Sequence, residues 1–414
     1  ANAATYVVNG SDWQSVINGA ATGDTIEVGS AVTPPNNVSI NKILHFCPST
    51  SVVPVFDAAN GINKAFIFST GSQGSTVTGL TFKNYTGSCI SGPTTLSAPV
   101  SFYNCVFDDN QVDVNLPVYA ENCTFNSTNY AVIDLMPNAE FVSCVFTSLP
   151  LLSRCCTNVS FTNCTITNVS TVAMNGSFAS FVSCVIDGNS AAATGIATVF
   201  VENTLVKNNN YISFSGPQLF AATGLTIENV KYAVYSCPSV QISNSTATGN
   251  GDYLVGYCDN VSLSNIQTTG LKTIISSSNN VSIVNSVFSD FETSFVGGGN
   301  SIEIENCNLS AKDRNNNAVN FIFSGADNVY CCRTLIWGNS DNGTEIAYNS
   351  SVAFVNCTLT GAANCTAWID HFGTVSFDSC ILYGNGNVNK GTNGTITVDY
   401  SLVQSNVQIG RAHV

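Results

Sequence analysis

Apolar and polar residues alternate over short segments of this chain, the pattern of a β-strand with one buried face. In the segment Val159-Ser-Phe-Thr-Asn-Cys-Thr-Ile166, the alternation shifts by one residue at Asn163. Such a shift indicates a corner between two strands, and asparagine tolerates the left-handed backbone that a corner requires. A further short strand fits upstream in many segments. The pattern therefore predicts three short strands and three bends in each repeating unit.

The segment recurs at a nearly fixed interval. Its cysteine, or the residue that replaces it, defines an anchor position, and successive anchors lie mostly 20 or 21 residues apart from Leu80 to Ser401. This period predicts a right-handed parallel β-helix of about 15 coils of ~21 residues, an all-β solenoid. A leucine-rich repeat is excluded because its Leu-x-x-Leu-x-Leu signature is absent. An antiparallel sandwich would not keep the fixed register.

The N-terminal residues follow a helical period instead. Apolar residues recur at helical spacing after a serine suited to the N-cap, which predicts a short capping helix over the open edge of the first coil. The strand Thr25–Val28 should follow it. We expect an N-terminal cap over 1–30 and a single β-helix domain over 31–414, with no matching helix at the C-terminal end. The cap residues are Ser11, Trp13, Val16, Ile17 and Ala20.

The chain has 17 cysteines, an odd number and a high density that is typical of an oxidising compartment. Cysteines at anchor positions should point inward and stack as a buried ladder; disulfides between neighbouring rungs are the alternative, disfavoured by dihedral geometry. The ladder comprises Cys105, Cys123, Cys144, Cys164, Cys184, Cys307, Cys357 and Cys380. Because two pairs are vicinal, one member of each should point outward. The candidates for disulfides or cross-links are Cys47, Cys89, Cys155, Cys156, Cys237, Cys258, Cys331, Cys332 and Cys365.

Charge is scarce: 12 Lys+Arg against 26 Asp+Glu give a net charge of −14, and charged residues make up 9% of the chain. Phosphate binding needs clustered basic residues, so a nucleic-acid partner is excluded. No Cys/His cluster has zinc spacing, and we expect neither a metal nor another cofactor. No apolar run approaches the ~20 residues of a membrane span.

The start of the chain and its sequons both predict export. The first residues, Ala1 to Ala4, lack a methionine, which we interpret as a product whose export signal has been removed. Asn-x-Ser/Thr sequons are abundant, as in exported glycoproteins. We therefore expect an extracellular location at the cell surface, in a sheath or in a cell wall. The candidate glycosylation sites are Asn9, Asn37, Asn84, Asn126, Asn158, Asn168, Asn175, Asn244, Asn260, Asn280, Asn342, Asn349 and Asn393.

The segment from Ser11 to Ile26, with its Gly-Asp-Thr-Ile ending, resembles the capping helix and first strand of the pectate-lyase-like superfamily of right-handed β-helices. The Asn-Cys/Thr-x-Ile corners resemble the coil repeat of that superfamily, so the likeness covers nearly the whole chain. In composition and cysteine usage, the chain most resembles the sheath and adhesin-like surface proteins of methanogenic archaea. The resemblance implies the fold far more strongly than it implies a function.

Catalysis by such a fold calls for particular residues. Asp108-Asp109 could supply the paired carboxylates of glycoside hydrolysis, but the Gly-His-Gly and Arg-x-Lys of polygalacturonases are absent. Trp368-Ile-Asp-His371 resembles a pectate-lyase motif, yet only Asp378 and Arg333 are available nearby as a calcium ligand and a base. We therefore expect no catalytic residues and no enzyme; a polysaccharide lyase or hydrolase is the least favoured hypothesis.

Two functions remain. The favoured one is a structural subunit of an extracellular sheath, wall or surface layer, which associates with copies of itself, and with other envelope components or glycans, through edge contacts and cysteine cross-links. The alternative is an adhesin or glycan-binding β-helix. Aromatic residues fall mainly at inward strand positions, which disfavours an aromatic binding stripe, although the longer coils around Lys312 to Asn317 leave room for a lectin-like site.

Overall fold

The computed structural model describes residues 3–50, 52–59, 61–127, 129–311, 320–337, 344–348, 351–360, 368–370, 374–383 and 395–403. Within these residues the protein is a parallel β-helix of about 17 turns with almost no α-helix, which confirms the predicted fold. The turn count exceeds the expected 15 because the repeat begins only at Leu80, whereas strands of the solenoid precede it.

The chain divides into two compact units, residues 1–200 and 201–414. The expectation of a single domain over 31–414 stays a prediction, and each unit is described by itself. In every regular turn, the strand before the anchor forms a first face, the strand after it a second face, and the remaining strand a third face. Neighbouring turns pair in parallel and in register, as in Val159↔Ala179 and Ile166↔Ile186.

The first unit has the following strands. The first face contains Thr5–Val8, Asp24–Val28, Leu44–Pro48, Thr76–Thr78, Val100–Tyr103, Val118–Glu121, Asn138–Val142, Asn158–Thr162 and Phe178–Val182. The second face contains Val55–Asp57, Thr81–Lys83, Val106–Asp108, Thr124–Asn126, Val145–Thr147, Thr165–Thr167 and Val185–Asp187. The third face contains Val38–Ile40, Phe66–Phe68, Ser88–Ser91, Val112–Asn115, Ala131–Asp134, Leu151–Arg154, Thr171–Met174 and Ala191–Thr194.

The strands from Thr198 onward complete the list, and four of them bend round a corner and serve two faces. The first face contains Thr198–Glu202, Leu219–Thr223, Asn280–Val284, Ser351–Val355, Thr374–Asp378 and Thr395–Asp399. The second contains Leu205–Lys207, Thr226–Glu228, Val287–Phe291, Asn308–Ala311, Leu335–Trp337, Thr358–Thr360, Ile381–Tyr383 and Leu402–Val403. The third contains Ile212–Ser215, Tyr232–Tyr235, Tyr253–Gly256, Thr273–Ser276, Thr344–Tyr348 and Trp368–Asp370. The bent strands are Ser239–Thr248, Asn260–Thr269, Ser294–Glu305 and Asn320–Cys332.

Most of the described corners are made by a residue in the left-handed backbone region. In one turn of the first unit, Asn163, Asn168 and Asn175 occupy the three successive corners, each with φ of 54°. Asparagine and glycine enter this region at low cost, whereas most L-residues are strained there. This explains both the triangular turn and the abundance of asparagine in the chain.

The core is a set of stacked side chains. Phe107, Phe125 and Phe146, on successive turns of the second face, stack with ring centroids 5.0 Å apart and nearly parallel planes. Phe141 and Phe161 form a second stack on the first face at 5.4 Å. Because a parallel in-register sheet places equivalent side chains one above another, the repeat itself generates these columns.

A short helix, Trp13–Gly19, covers the N-terminal turns as predicted, but it begins differently from the prediction. Asp12 and not Ser11 occupies the N-cap position, and its side chain makes no capping hydrogen bond; Ser11 is exposed and lies one residue too early. Trp13, Ile17 and Ala20 are buried, whereas Val16 is half-buried. The strand Thr5–Val8, which the sequence pattern did not predict, precedes the helix and pairs with Asp24–Val28.

The anchor cysteines all lie in the interior of the solenoid, each at most 4% exposed. Their thiols also make hydrogen bonds: the amide of Cys105 donates to Sγ of Cys123 on the next turn at 3.4 Å, and Cys123 Sγ donates to the carbonyl of Glu121. Ser245 occupies the anchor position of its turn, and its hydroxyl oxygen accepts a hydrogen bond from the amide of Leu225 on the preceding turn at 3.0 Å. An inward corner turns a backbone N–H into the core, so a thiol or hydroxyl at the anchor satisfies it.

This role predicts how the anchor responds to substitution. Ser245→Ala should lower the free energy of unfolding by about 1–3 kcal/mol, because it leaves the buried amide of Leu225 without a partner. Ser245→Cys should cost less than about 1 kcal/mol, because the thiol keeps an acceptor in place. Urea unfolding of both variants measures the difference. Equal losses for alanine and cysteine would show that the anchor serves packing alone.

The remaining cysteines divide by exposure. Cys47, Cys155 and Cys332 are half-buried, so each vicinal pair has one partly exposed member, and Cys365 lies outside the described residues. The described cysteines are all free thiols. Five candidates are at most 2% exposed and cannot reach another folded chain, because the first unit or the second encloses them: Cys89, Cys156, Cys237, Cys258 and Cys331. Their pairing within the chain stays a prediction.

Candidate functional site

The carboxylates that the sequence singled out for catalysis do not form an opposed pair. Asp108 lies on the second face, where it accepts a hydrogen bond from Asn126 at 2.9 Å and pairs with Lys83 at 3.5 Å. Asp109 occupies the adjoining corner with φ of 51°. Asp378 is exposed and accepts from Ser379, and Arg333 forms an ion pair with Glu305. The side chains of 368–370, together with His371 and 312–317, lie outside the described residues.

The candidate glycosylation sites lie at different depths. Asn84 and Asn126 are half-buried, and both side-chain amides donate to aspartates, Asp57 and Asp108. Asn342, Asn349 and Asn393 lie outside the described residues. The exposed candidates are Asn9, Asn37, Asn158, Asn168, Asn175, Asn244, Asn260 and Asn280.

Among the described residues, outward aromatic and charged side chains are clustered on the third face of the second unit. Five tyrosines point outward there on three successive turns, and we call them the tyrosine face: Tyr211, Tyr232, Tyr235, Tyr253 and Tyr257. Tyr211 is 59% exposed and Tyr257 is 51% exposed. The ring centroids of Tyr232 and Tyr253 are 4.7 Å apart, and those of Tyr235 and Tyr257 are 5.1 Å apart. The expectation that aromatic residues serve the core is therefore wrong for this face.

One of these rings is held at a strained position. Tyr257 forms the corner of its turn with φ of 56°, where the neighbouring turns have Ser236 and Ser277, and an earlier turn has Gly216. A bulky residue in the left-handed region costs of order 1–3 kcal/mol, and such strain concentrates at functional sites. Tyr257 is only about half covered, and its one described ring contact is with Tyr235 at 5.1 Å, so burial should offset only part of this cost.

Tyr257→Asn should therefore raise the free energy of unfolding by about 0.5–1 kcal/mol, because asparagine accepts the corner conformation. Thermal unfolding of the whole chain measures the change. Ser277→Asn, at the same corner of the next turn, is the matched control and should change stability less. A destabilised Tyr257→Asn would mean that ring contacts with Tyr235 outweigh the strain.

A charged column runs beside the tyrosines. Lys272 Nζ lies 2.5 Å from Asp252 Oδ1 on the preceding turn, and Lys231 Nζ lies 5.1 Å from the centroid of the Tyr232 ring. Burial raises the pKa of Asp252, but hydrogen bonds with Lys272 and Tyr232 outweigh burial and hold that pKa below its usual value. The hydrogen bond with Asp252 raises the pKa of Lys272. Both groups are thus ionised at neutral pH. Their attraction is lost as acid protonates the carboxylate, and also as strong base deprotonates the ammonium group.

The hydroxyls of Tyr232 and Tyr253 stay protonated. Burial, followed by the neighbouring Tyr232, raises the pKa of Tyr253 to about 12. Burial, followed by the hydrogen bond with Asp252, also raises the pKa of Tyr232. These hydroxyls therefore act as neutral donors and acceptors over the whole physiological range.

A cavity of about 590 Å³ adjoins the tyrosine face along the corner between the second and third faces. Side-chain amides and the charged column line it: Asn210, Asn229, Lys231, Asn250, Asp252 and Lys272. An aromatic surface beside convergent polar groups is typical of sites that bind small ligands or polymer segments. The sequence repeat could have indicated this column of tyrosines, because Tyr211, Tyr232 and Tyr253 are spaced by 21 residues, which is one turn.

Two other grooves are less developed. In the first unit, a groove of about 520 Å³ lies between residues 96–99 and the first face, where the Tyr119 hydroxyl donates to Glu121 at 3.0 Å. In the second unit, serine, asparagine and glutamine line a groove of about 280 Å³ on the first face. Among the described residues, no group of His, Cys, Asp or Glu could hold a metal ion, and no helix could cross a membrane.

No protein-family model matches the sequence, and no curated protein sequence matches it. Among solved structures, tailspike protein 3 of bacteriophage CBA120 is similar at a TM-score of 0.38 with 9% identity, over 87% of this chain and 59% of that one. The catalytic domain of GH87 α-1,3-glucanase, in complex with tetrasaccharides, has a TM-score of 0.21 with 11% identity, over 94% and 64%. The mannuronan C-5 epimerase A-module of Azotobacter vinelandii has a TM-score of 0.18 with 11% identity, over 98% and 94%.

These likenesses concern the fold alone. This chain spans less than two thirds of the tailspike and glucanase chains. The expectation that the chain is not an enzyme is nevertheless contradicted, because the glucanase and the epimerase are enzymes among its structural neighbours. A missing polygalacturonase or pectate-lyase motif excludes only those two arrangements, so it does not exclude catalysis by this fold.

Proposed function

We propose that this chain is an extracellular β-helix protein that binds glycan on its tyrosine face. The observation that carries the proposal is the outward column of tyrosines, one of them kept at a strained corner. The C–H side of a sugar ring is apolar and packs on an aromatic face, while its hydroxyls require hydrogen-bonding groups at the edge. Asn210, Asn229, Asn250 and the charged column supply such groups.

A pull-down on immobilised polysaccharides (xylan, chitin, β-glucan, alginate and pectin) tests this proposal. The wild-type chain should be retained by at least one polymer, and Tyr232→Ser/Tyr253→Ser should lose most of that binding. Tyr383→Ser is the matched control, because Tyr383 is 62% exposed on the second face, outside the tyrosine face. Failure of the wild-type chain to bind any polymer, or equal retention of the double variant, would refute the proposal.

The second candidate function is a structural subunit of a cell-surface assembly, such as the sheath or adhesin-like layer of an archaeon. The half-buried thiols Cys155 and Cys332 favour it, because each belongs to a vicinal pair and faces away from the core. In an oxidising compartment, such thiols join chains through disulfides, which makes dissociation covalent and stability kinetic. Denaturing electrophoresis of native material without reductant should then show oligomers. A single unreduced band near 43.5 kDa would contradict cross-linking.

A further inference from the structure

We infer that Tyr232 and Tyr253 are a modification site, at which one-electron oxidation joins their rings into a dityrosine that links two successive turns of the second unit. The new bond connects one ring carbon beside each hydroxyl group. The inference does not rest on glycan binding, so either of the two can fail while the other stands.

The repeat holds these two rings together. Tyr232 pairs in register with Tyr253, and both side chains lie on the outward side of their strands. Their ring centroids are 4.7 Å apart, with 33° between the ring planes. This separation matches the ~4.8 Å spacing of neighbouring strands. The backbone therefore fixes the pair before any reaction occurs.

The reacting ends of the two rings meet. The hydroxyl of Tyr232 interacts with the hydroxyl of Tyr253. The carbons that couple in a dityrosine are those next to the carbon that bears the hydroxyl, so they lie at the same end of each ring. Both side chains are half-buried, which leaves one side of the pair open to an oxidant. Groups held in this way react far faster than the same groups free in solution.

Asp252 supplies a proton acceptor. A phenol that loses an electron becomes strongly acidic, and its oxidation is easier when a base within reach takes the hydroxyl proton. The Tyr232 hydroxyl interacts with the Asp252 carboxylate. Lys272 Nζ lies 2.5 Å from Asp252 Oδ1, and this contact keeps the carboxylate ionised and ready to accept.

Other outward pairs of tyrosines on successive turns are less well placed. The ring centroids of Tyr235 and Tyr257 are 5.1 Å apart, with 52° between the planes. Those of Tyr103 and Tyr119, in the first unit, are 5.9 Å apart with 54° between the planes. Rings that are farther apart and more steeply inclined must move further before their carbons can bond. Oxidation should therefore select one pair.

The reaction balances with hydrogen peroxide as the oxidant, used through a one-electron catalyst such as a haem peroxidase. Each phenol loses one electron and its hydroxyl proton, and Asp252 passes the proton of Tyr232 to solvent. The two phenoxyl radicals join through ring carbons, and the hydrogens of those carbons move to the oxygens, which restores both hydroxyls. Two hydrogen atoms leave the protein, and the peroxide becomes two molecules of water.

Oxidation of the dilute whole chain by a haem peroxidase and hydrogen peroxide tests the inference. Cleavage after Lys231 and before Asp252 places the two tyrosines on separate peptides. Mass spectrometry should find these peptides joined and lighter by two hydrogen atoms, so oxidation of thiols elsewhere does not confuse the result. Dityrosine fluorescence should rise in parallel, and the reduced chain should still migrate near 43.5 kDa on a denaturing gel.

Tyr253→Phe should remove the joined peptides and most of the dityrosine fluorescence. Tyr119→Phe is the matched control, because it removes a ring from the pair in the first unit, and it should leave the joined peptides unchanged. Asp252→Asn should slow formation of the link roughly tenfold or more, because the Tyr232 proton loses its acceptor. Asp252→Glu restores a carboxylate and should recover most of the rate, which a merely structural role would not predict.

Three results would overturn the inference. The first is a product in which other tyrosine pairs dominate, or in which links form only between chains. The second is the absence of any joined peptide under conditions that couple free tyrosine in a parallel reaction. The third concerns Asp252: an undiminished rate in Asp252→Asn, or no recovery in Asp252→Glu, would refute its role as the acceptor.

Discussion

Phe125→Ala should lower the free energy of unfolding by about 3–5 kcal/mol. Phe125 is fully buried, and its ring stacks on Phe107 and Phe146 at 5.0 Å on either side. Truncation removes contacts with both neighbouring turns at once. It also leaves a cavity that the rigid turns of the solenoid cannot close. Because each turn contacts only its neighbours, such a defect separates the stacks on its two sides.

Chemical unfolding of the whole chain measures this loss. Thr124→Ala is the matched control, since Thr124 is half-buried on the same strand and points outward, and it should change stability by less than about 0.5 kcal/mol. Phe125→Leu should lie between the two. A loss below about 1 kcal/mol for Phe125→Ala would mean that the column relaxes to fill the space, against the view of a rigid stack.

Trp13→Ala should destabilise the N-terminal turns by a similar amount, about 3–5 kcal/mol. Trp13 is 3% exposed, and its ring packs edge-on against Phe56 at 5.4 Å and Phe66 at 5.5 Å. Its indole Nε1 also donates to the carbonyl of Thr33 at 2.9 Å. Loss of the ring would expose both phenylalanines and uncover the strand edge beneath the helix, which promotes association of edges.

Trp13→Phe separates the two contributions. It keeps an aromatic ring against Phe56 and Phe66 but leaves the Thr33 carbonyl unpaired, so it should cost only about 1–2 kcal/mol. Unfolding and light scattering, compared for both variants, test the prediction. Wild-type stability and a monodisperse Trp13→Ala protein would show that the helix is dispensable as a cap.

The fold was predictable because one interval controls every level of this structure. Alternation around Asn163 indicated the strands and the corner, and the 20- or 21-residue step indicated the stacking. The strand Thr5–Val8 escaped prediction because it lies before the first repeat and pairs only with Asp24–Val28. The N-cap was misplaced by one residue because serine and aspartate are both favoured N-cap residue types. Only the position at which the helical backbone begins identifies Asp12 as the N-cap.

The candidate site was missed for a different reason. In the strand Tyr232–Tyr235, the two consecutive residues Ala233 and Val234 face the core, and both tyrosines face outward. Strict alternation would instead place one of the two tyrosines inside. Period-two reasoning fails on such a strand. The strained corner of Tyr257 is equally invisible in sequence, because a corner residue is identified by its φ and not by its type. Conversely, the anchor cysteines were placed inside from the pattern, but their hydrogen bonds to the preceding turn required atomic positions.

The three corners per turn also determine which insertions and deletions in the gene preserve the fold. A turn such as 158–177 begins and ends at the same point of the triangle, and its backbone pairs with whatever turn lies above and below it. Duplication or loss of a whole turn therefore leaves every junction intact, whereas an insertion of one residue within a strand reverses which side chains face the core. Recombination between turns should thus preserve the fold while changing the number of rungs, and a column of exposed rings can be lengthened by copying a single stretch of DNA.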